Sequence, residues 1–223
     1  LAPGGGSDIV GRVLAQALSE HWGKTVVVDN RPGAGSTVGT ALAAKAAPDG
    51  YTLLVSSSSL AISPAVYPDL EFDVLRDLAG VTLIASQPSM LVVHPSVDAA
   101  SVGELIAVAK SRNLAYGSAG FGSATHLGTE LFLLTAKARV LHVPYKSAGQ
   151  ATGALLSGEV QMLLTNMASV APHVAAGKLR AIGISSRNRS AVAPDVRTLQ
   201  EAGLPGFEYA TWYGMLVPAA LYA

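Results

Sequence analysis

The strongest constraint in this sequence is a rhythm. Short apolar, β-branched runs alternate with amphipathic stretches of about 10 to 15 residues. "SDIVGRVLAQALSEHW" sets Ile9, Val10, Val13, Leu14, Ala17, Leu18 and Trp22 at helical spacing, with Ser7 at the expected N-cap and Asp8 in the first turn. "KTVVVDN" predicts a buried parallel strand, since it is β-branched and bounded by polar turn residues. "RPGAGSTVGTALAAKAAPDG" is a glycine loop, a helix and a Pro-Asp-Gly stop, and "YTLLVSSSS" is a strand ending in hydroxyls. The scheme returns in "SMLVVHPS", in "LAYGSAGFGSATHLGTELFLLTA", in "ARVLHVPYKSAGQATGALLSGEV", and in "VQMLLTN" and "LRAIGISS". Ser101 with Glu104 and Ser147 with Gln150 have the spacing of capping boxes. Such alternation predicts βαβ units and an α/β fold with a parallel-type sheet.

Composition narrows the function. Half of the 223 residues are hydrophobic, 13% are charged and the formal net charge is zero. That balance argues against nucleic-acid binding, which calls for a basic stripe, and against disorder. Cysteine is absent, so disulfides, thiolate metal sites and a cysteine nucleophile are excluded. No apolar run reaches the length of a bilayer span. The chain opens on a glycine loop and stops just after an apolar run, which reads as a piece of a longer protein. Two boundaries are expected, near Val93–Pro95 and near Tyr213–Val217, where Gly214 offers a pivot. They would make residues 1–94 with 213–223 one lobe and residues 95–212 the other, and small ligands often bind between two such lobes.

The glycine loops carry the chemistry. In "LAPGGGSD" no lysine follows the glycines, so a Walker loop fails, and the sixth place counted from Gly4 is Ile9, so a dinucleotide fingerprint fails. In "GFGSAT" the sixth place counted from Gly120 is Thr125, with the same result. What remains is a helix N-terminus whose free N–H groups and dipole suit an anion, or else a tight turn with nothing bound. A second loop of the same kind, "YGSAGFGSATH", favours a site. Neither loop holds Arg or Lys, which points to a carboxylate rather than a phosphate. "YGSAG" also approaches the Gly-x-Ser-x-Gly nucleophile elbow, but Tyr116 stands in the first glycine's place and nothing ties His142 or His173 to an acid. The five histidines lack metal-ligand spacing, so no metal is expected. Tyr145 and Lys146, the run Ser56 to Ser59, and Trp212 with Tyr213 lie where α/β proteins place ligand contacts, and each equally suits packing or solvation.

Over nearly its whole length, in order, the chain resembles the Bug family, the substrate-binding proteins of tripartite tricarboxylate transporters. The likeness runs from "APGGGSDIVGRVLAQALSEHWGKTVVVDNRPGAGSTVGTALAAKAAPDGYTLL" through "YGSAGFGSATHLGTELF" and "HVPYKSAGQATGALLSGEVQMLLTN" to "PHVAAGKLRAIGISS" and "PDVRTLQEAGLPGFE". The resemblance implies a two-lobed periplasmic binding-protein fold, type II-like, with the ligand cleft between lobes joined by two crossover strands. It further implies a monomer that works with membrane transporter subunits, binds small carboxylates, performs no catalysis and uses no cofactor. It implies a signal peptide and a first strand before Leu1, and a C-terminal helical segment. The ligand's carboxylate would sit at Pro3, Gly4, Gly5 and Asp8 in one lobe and at Ser118, Ala119, Gly120, Gly122, Ser123 and Thr125 in the other. Ser57, Ser58, Thr165 and Asn166 would meet its far end. Leu1 stands where an aromatic residue is frequent and Thr165 where aspartate is. Without that aspartate an ammonium loses its partner, so a mono- or dicarboxylate or an aromatic acid is expected over an amino acid. Asp8 reads as a helix-start charge and loop brace, because an acid aimed at an anion repels it. The alternatives are a hydrolase using Ser118 and a ligand sensor docking on a histidine kinase.

Overall fold

The computed structural model describes residues 3–222; Leu1 lies outside the described residues. The chain divides into two compact units. The first comprises Leu1–Ser86, Gly122–Ala124 and Trp212–Ala223, and the second Gln87–Phe121 and Thr125–Thr211.

The first unit holds α1 (Gly6–Trp22), a 3-10 turn (Ala34–Ser36), α2 (Thr37–Ala44), β1 (Leu54–Ser57) and α3 (Ser59–Val66). It also takes the first part of β2 (Leu78–Val93) and most of β7 (Ala210–Pro218). β1 runs antiparallel to β7, from Leu54 opposite Leu216 to Ser57 opposite Tyr213, and β7 in turn neighbours β2. Leu60, Phe72 and Leu78 form a small core with Trp212 and Leu216 against it.

Three local expectations change here. The N-cap of α1 is Gly5 rather than Ser7, because the Asp8 side chain folds back onto the Gly4 N–H and starts the helix earlier. The buried side of α1 is made by Gly6, Asp8, Gly11 and Ala15, while Ile9, Val13 and Trp22 stay exposed. Only small residues let the helix lie close to the strands beneath it. The third concerns "KTVVVDN". Residues 25–30 belong to no strand, yet they alternate: Val26, Val28 and Asn30 are half-buried, and Val27 is 80% exposed. The segment has the pleat of a strand but no ladder among the described residues.

The second unit holds the rest of β2, then α4 (Val102–Ser111), β3 (Ala115–Ser118), α5 (Ala124–Ala136) and β4 (Leu141–Pro144). α6 (Ala148–Leu156), β5 (Met162–Asn166), α7 (Met167–Ala175) and β6 (Arg180–Ile184) follow. Its strands lie in the order β6-β2-β5-β3-β4. β3 is parallel to β4 and β5, whereas β2 is antiparallel to β5 and β6, so the sheet is mixed rather than purely parallel. Period-two burial gives it two apolar faces. Leu91, Val93, Met162 and Leu164 pack with α4 and α5, while Met90, Val92 and Leu163 pack with α6 and α7. Both expected caps form: the N–H of Glu104 donates to Ser101 Oγ and that of Gln150 to Ser147 Oγ, each at 3.2 Å.

The units part inside β2, between Ser86 and Gln87, and inside β7, between Thr211 and Trp212. The expected boundaries stood at 94/95 and 212/213. The first differs because the sequence sets it at the end of the apolar strand in "SMLVVHPS", while in the structure that strand starts at Leu78 and the units part in its middle. Burial changes along that strand, from mostly exposed residues to the fully buried Leu91–Val93.

Candidate functional site

At the first loop, Pro3 and Gly4 are exposed while Gly5 and Gly6 are buried at the start of α1. The first N–H groups of a helix have no partner within it, and the dipole adds positive potential there. Asp8, 6% exposed, folds back onto that end and is taken up there: its Oδ2 accepts from Gly4 N–H at 2.9 Å and from Arg12 Nε at 3.1 Å. The same Nε stands 3.0 Å from Oδ1, as an ion pair without hydrogen-bond alignment. Burial raises the Asp8 pKa, but the bonds from Arg12, Gly4 and Asn30 outweigh it and hold the carboxyl below its ordinary range. Asp8 thus has the geometry of a brace.

The second loop is closed by hydroxyls. Ser118 ends β3, fully buried, and its carbonyl accepts from Tyr145 N–H at 3.0 Å. Ala119 N–H donates to Thr125 Oγ1 at 2.8 Å, and Gly120 N–H to Ser118 Oγ at 3.1 Å. Gly120 (φ +106°) and Gly122 (φ +71°) adopt left-handed backbone that side chains resist, and a Cβ on Gly122 would stand 2.9 Å from Val66 and Tyr67. Gly122–Ala124 pack within the first unit, where Ala124 N–H donates to Ser59 Oγ at 2.9 Å; Ser123 is buried.

The strand ends supply the remaining expected residues. Ser57 and Ser58 are buried where β1 meets α3; Ser57 Oγ bonds Ser59, and Ser58 Oγ has no partner. Thr165 and Asn166 close β5. Asn166 Oδ1 caps α7 by accepting Ser169 N–H at 3.1 Å, while Thr165 Oγ1, wholly buried, is unpartnered. A buried polar group without a partner costs about 1–3 kcal/mol. Of the five such side-chain atoms among the described residues, Ser58 Oγ and Thr165 Oγ1 belong to expected ligand residues, as does Asp8 Oδ1, which is ion-paired with Arg12.

The other two, Ser7 Oγ and Ser56 Oγ, face a groove of about 530 Å³ within the first unit. α1, α2, residues 26–31 and residues 51–56 line it, and Asp8 is the one expected ligand residue among them.

One cluster escaped the sequence reading. Tyr116 and Ser118 share a face of β3, His142 lies opposite Tyr116 on β4, and α5 brings His126 and Glu130. The three rings cluster with near-parallel planes, their centroids 4.8 Å apart for Tyr116–His142, 4.2 Å for His142–His126 and 6.5 Å for Tyr116–His126. Tyr116 OH donates to Glu130 Oε1. Ser118 Oγ lies 2.6 Å from His142 Nε2. Burial, then the neighbouring His126, pushes the His142 pKa down to about 4 against the pull of Glu130; burial also lowers that of His126. Both imidazoles are neutral at pH 7. The Ser–His contact has the distance of a catalytic dyad, but its hydroxyl is sealed from solvent, and so weak a base is poorly matched to general-base work near neutrality. The i, i+4 pair His126–Glu130 was the available signal; the pairing of β3 with β4 was not readable.

Comparison with known proteins places this geometry in context. Residues 10–221 match the family described as "Tripartite tricarboxylate transporter family receptor". The chain is 42% identical over 220 residues to Protein BugT of Bordetella pertussis, covering 97% of this chain and 68% of that one. Among solved structures it is similar to R. palustris Rpa4515 with adipate, at TM-score 0.95 and 32% identity over 99% of this chain and 75% of that one. It is also similar to MatC (Rpa3494) from Rhodopseudomonas palustris with bound malate, at TM-score 0.92 and 30% identity, over 99% and 76%.

Proposed function

Since the chain belongs to the tripartite tricarboxylate transporter family of receptors, which bind solutes and are not enzymes, we propose that it captures a small carboxylate in the periplasm and delivers it to membrane transporter subunits of that type. The observation that carries the reading is the pairing of two glycine loops with buried, unpartnered polar atoms at residues expected to meet a ligand. Backbone N–H groups at the start of α1 receive the carboxylate, the Ser118–Thr125 loop, held in shape by its own hydroxyls, closes on it, and Ser57, Ser58, Thr165 and Asn166 meet the far end of the molecule. Adipate and malate, held by the two similar structures, are both dicarboxylates of this class. Asp8, the one charged side chain in the set, is committed to Arg12 and Gly4, and Thr165 is neutral. No acid is left for an ammonium, so mono- and dicarboxylates or aromatic acids are favoured over amino acids.

Thermal unfolding with a panel of carboxylic acids, including adipate and malate, against the matching amides tests the reading. A ligand at 100 times its Kd stabilises by about 2.7 kcal/mol, a shift that is easily read. Acids should stabilise and amides should not, and Gly120→Val should abolish the response, because a β-branched residue resists φ +106°. A silent panel on folded protein, or equal response to amides, overturns the carboxylate reading.

A further inference from the structure

The ring cluster at the second glycine loop uses one buried and one half-buried imidazole, a tyrosine and a glutamate that carboxylate capture by itself does not call for. Ser118 Oγ has one proton and two lone pairs to distribute. It meets three groups: Gly120 N–H at 3.1 Å, Gly120 C=O at 3.2 Å and His142 Nε2 at 2.6 Å. Two of the three belong to the glycine whose left-handed turn shapes the loop. A hydroxyl free to rotate would trade those contacts, and the turn would lose its definition. The third contact fixes the rotor: with Nε2–H donating to Oγ, the serine proton can only point at Gly120 C=O, and all three contacts are satisfied together.

His142 is itself immobilised. Tyr116 and His126 both stack against its ring, and their own centroids lie 6.5 Å apart, so the three rings hold one another. Tyr116 is tethered by Glu130, one helical turn beyond His126 on α5. The ionisable groups facing His142 are therefore Tyr116 from β3 and His126 and Glu130 from α5.

Resting on the proposed capture of a carboxylate, we propose that His142 is a positioning residue for that capture: through Ser118 it holds the Gly120 turn in its ligand-receiving shape. Ser118 acts from beneath as part of the loop's frame, which agrees with its complete burial.

The test is a double-mutant cycle read by calorimetric titration with adipate and malate at pH 7.5, alongside amide exchange at Gly120 and Tyr145. Binding by the wild-type protein tests the function itself; the variants test the positioning role. His142→Phe keeps the ring stack and removes the nitrogen, and should weaken binding about tenfold and speed exchange at Gly120. Ser118→Ala should do the same, and the double variant should be no worse than either single one. His142→Gln, whose amide again reaches the hydroxyl, should restore most of the affinity and slow exchange at Gly120. Additive losses, no rescue by glutamine, or unchanged binding by His142→Phe in a protein that binds normally as wild type would each overturn the proposal. If His142→Phe fails to fold, Ser118→Ala carries the test, since it removes one atom from a loop: unchanged affinity and exchange then overturn it.

Discussion

At the scale of single residues, the unusual group is Asp8, an acid buried at the start of a helix proposed to receive an anion. Its carboxylate is occupied by Arg12 and the Gly4 N–H, so it organises the loop. With a native pKa below the ordinary value, the ionised form is favoured by folding. That stabilisation is complete above the unfolded carboxylate pKa and fades as pH falls through the lowered native one. Asp8→Asn should therefore cost about 1 kcal/mol at neutral pH, with the gap to wild type closing below about pH 4. Chemical denaturation at several pH values reads both. The glycines and Asp8 were legible because their meaning is local: a bend, a helix start, an acid one turn in. The hydroxyls that fill the second loop's N–H groups were not, since Ser59 and Ala124 lie 65 residues apart in the chain.

Among the elements, helices with a cap and a stop were readable, as at Ser101 and Ser147, because a cap is written within four residues. α3 was not: "SLAISPAV" follows three serines and contains Pro64, and its helical state rests on Leu60 entering the core of the first unit. "KTVVVDN" misled in the other direction, since composition records a preference for strand but a ladder needs a partner. The covered face between α5 and the β3–β4 pair gives a prediction of its own. His126 and His142 are held neutral in the fold and take up protons near pH 6.5 when unfolded. A depressed native pKa means that their stabilisation is complete above about pH 6.5 and is lost as pH falls toward about 4. The midpoint of thermal unfolding should decline across that window, and His142→Phe should flatten the decline. An identical slope in that variant would mean that other groups carry it.

For the molecule as a whole, the sequence led to a two-lobed α/β receptor by family likeness, and the structure adds how the chain is shared out. The second unit draws on residues 87–211, apart from Gly122–Ala124, whereas the first is gathered from both ends of the chain. A chain ending at Ala210 lacks the partner of β1. It should keep slow amide exchange in β3 and β5 and lose it in β1 and α3; protection retained in β1 and α3 would show that β7 is dispensable. The pairing of Leu54 with Leu216 spans roughly 160 residues, a separation whose closure is slow. During synthesis β1 leaves the ribosome long before β7 exists. A strand made well before its partner is thus settled late, and for that interval its edges are exposed to whatever extended chain passes by.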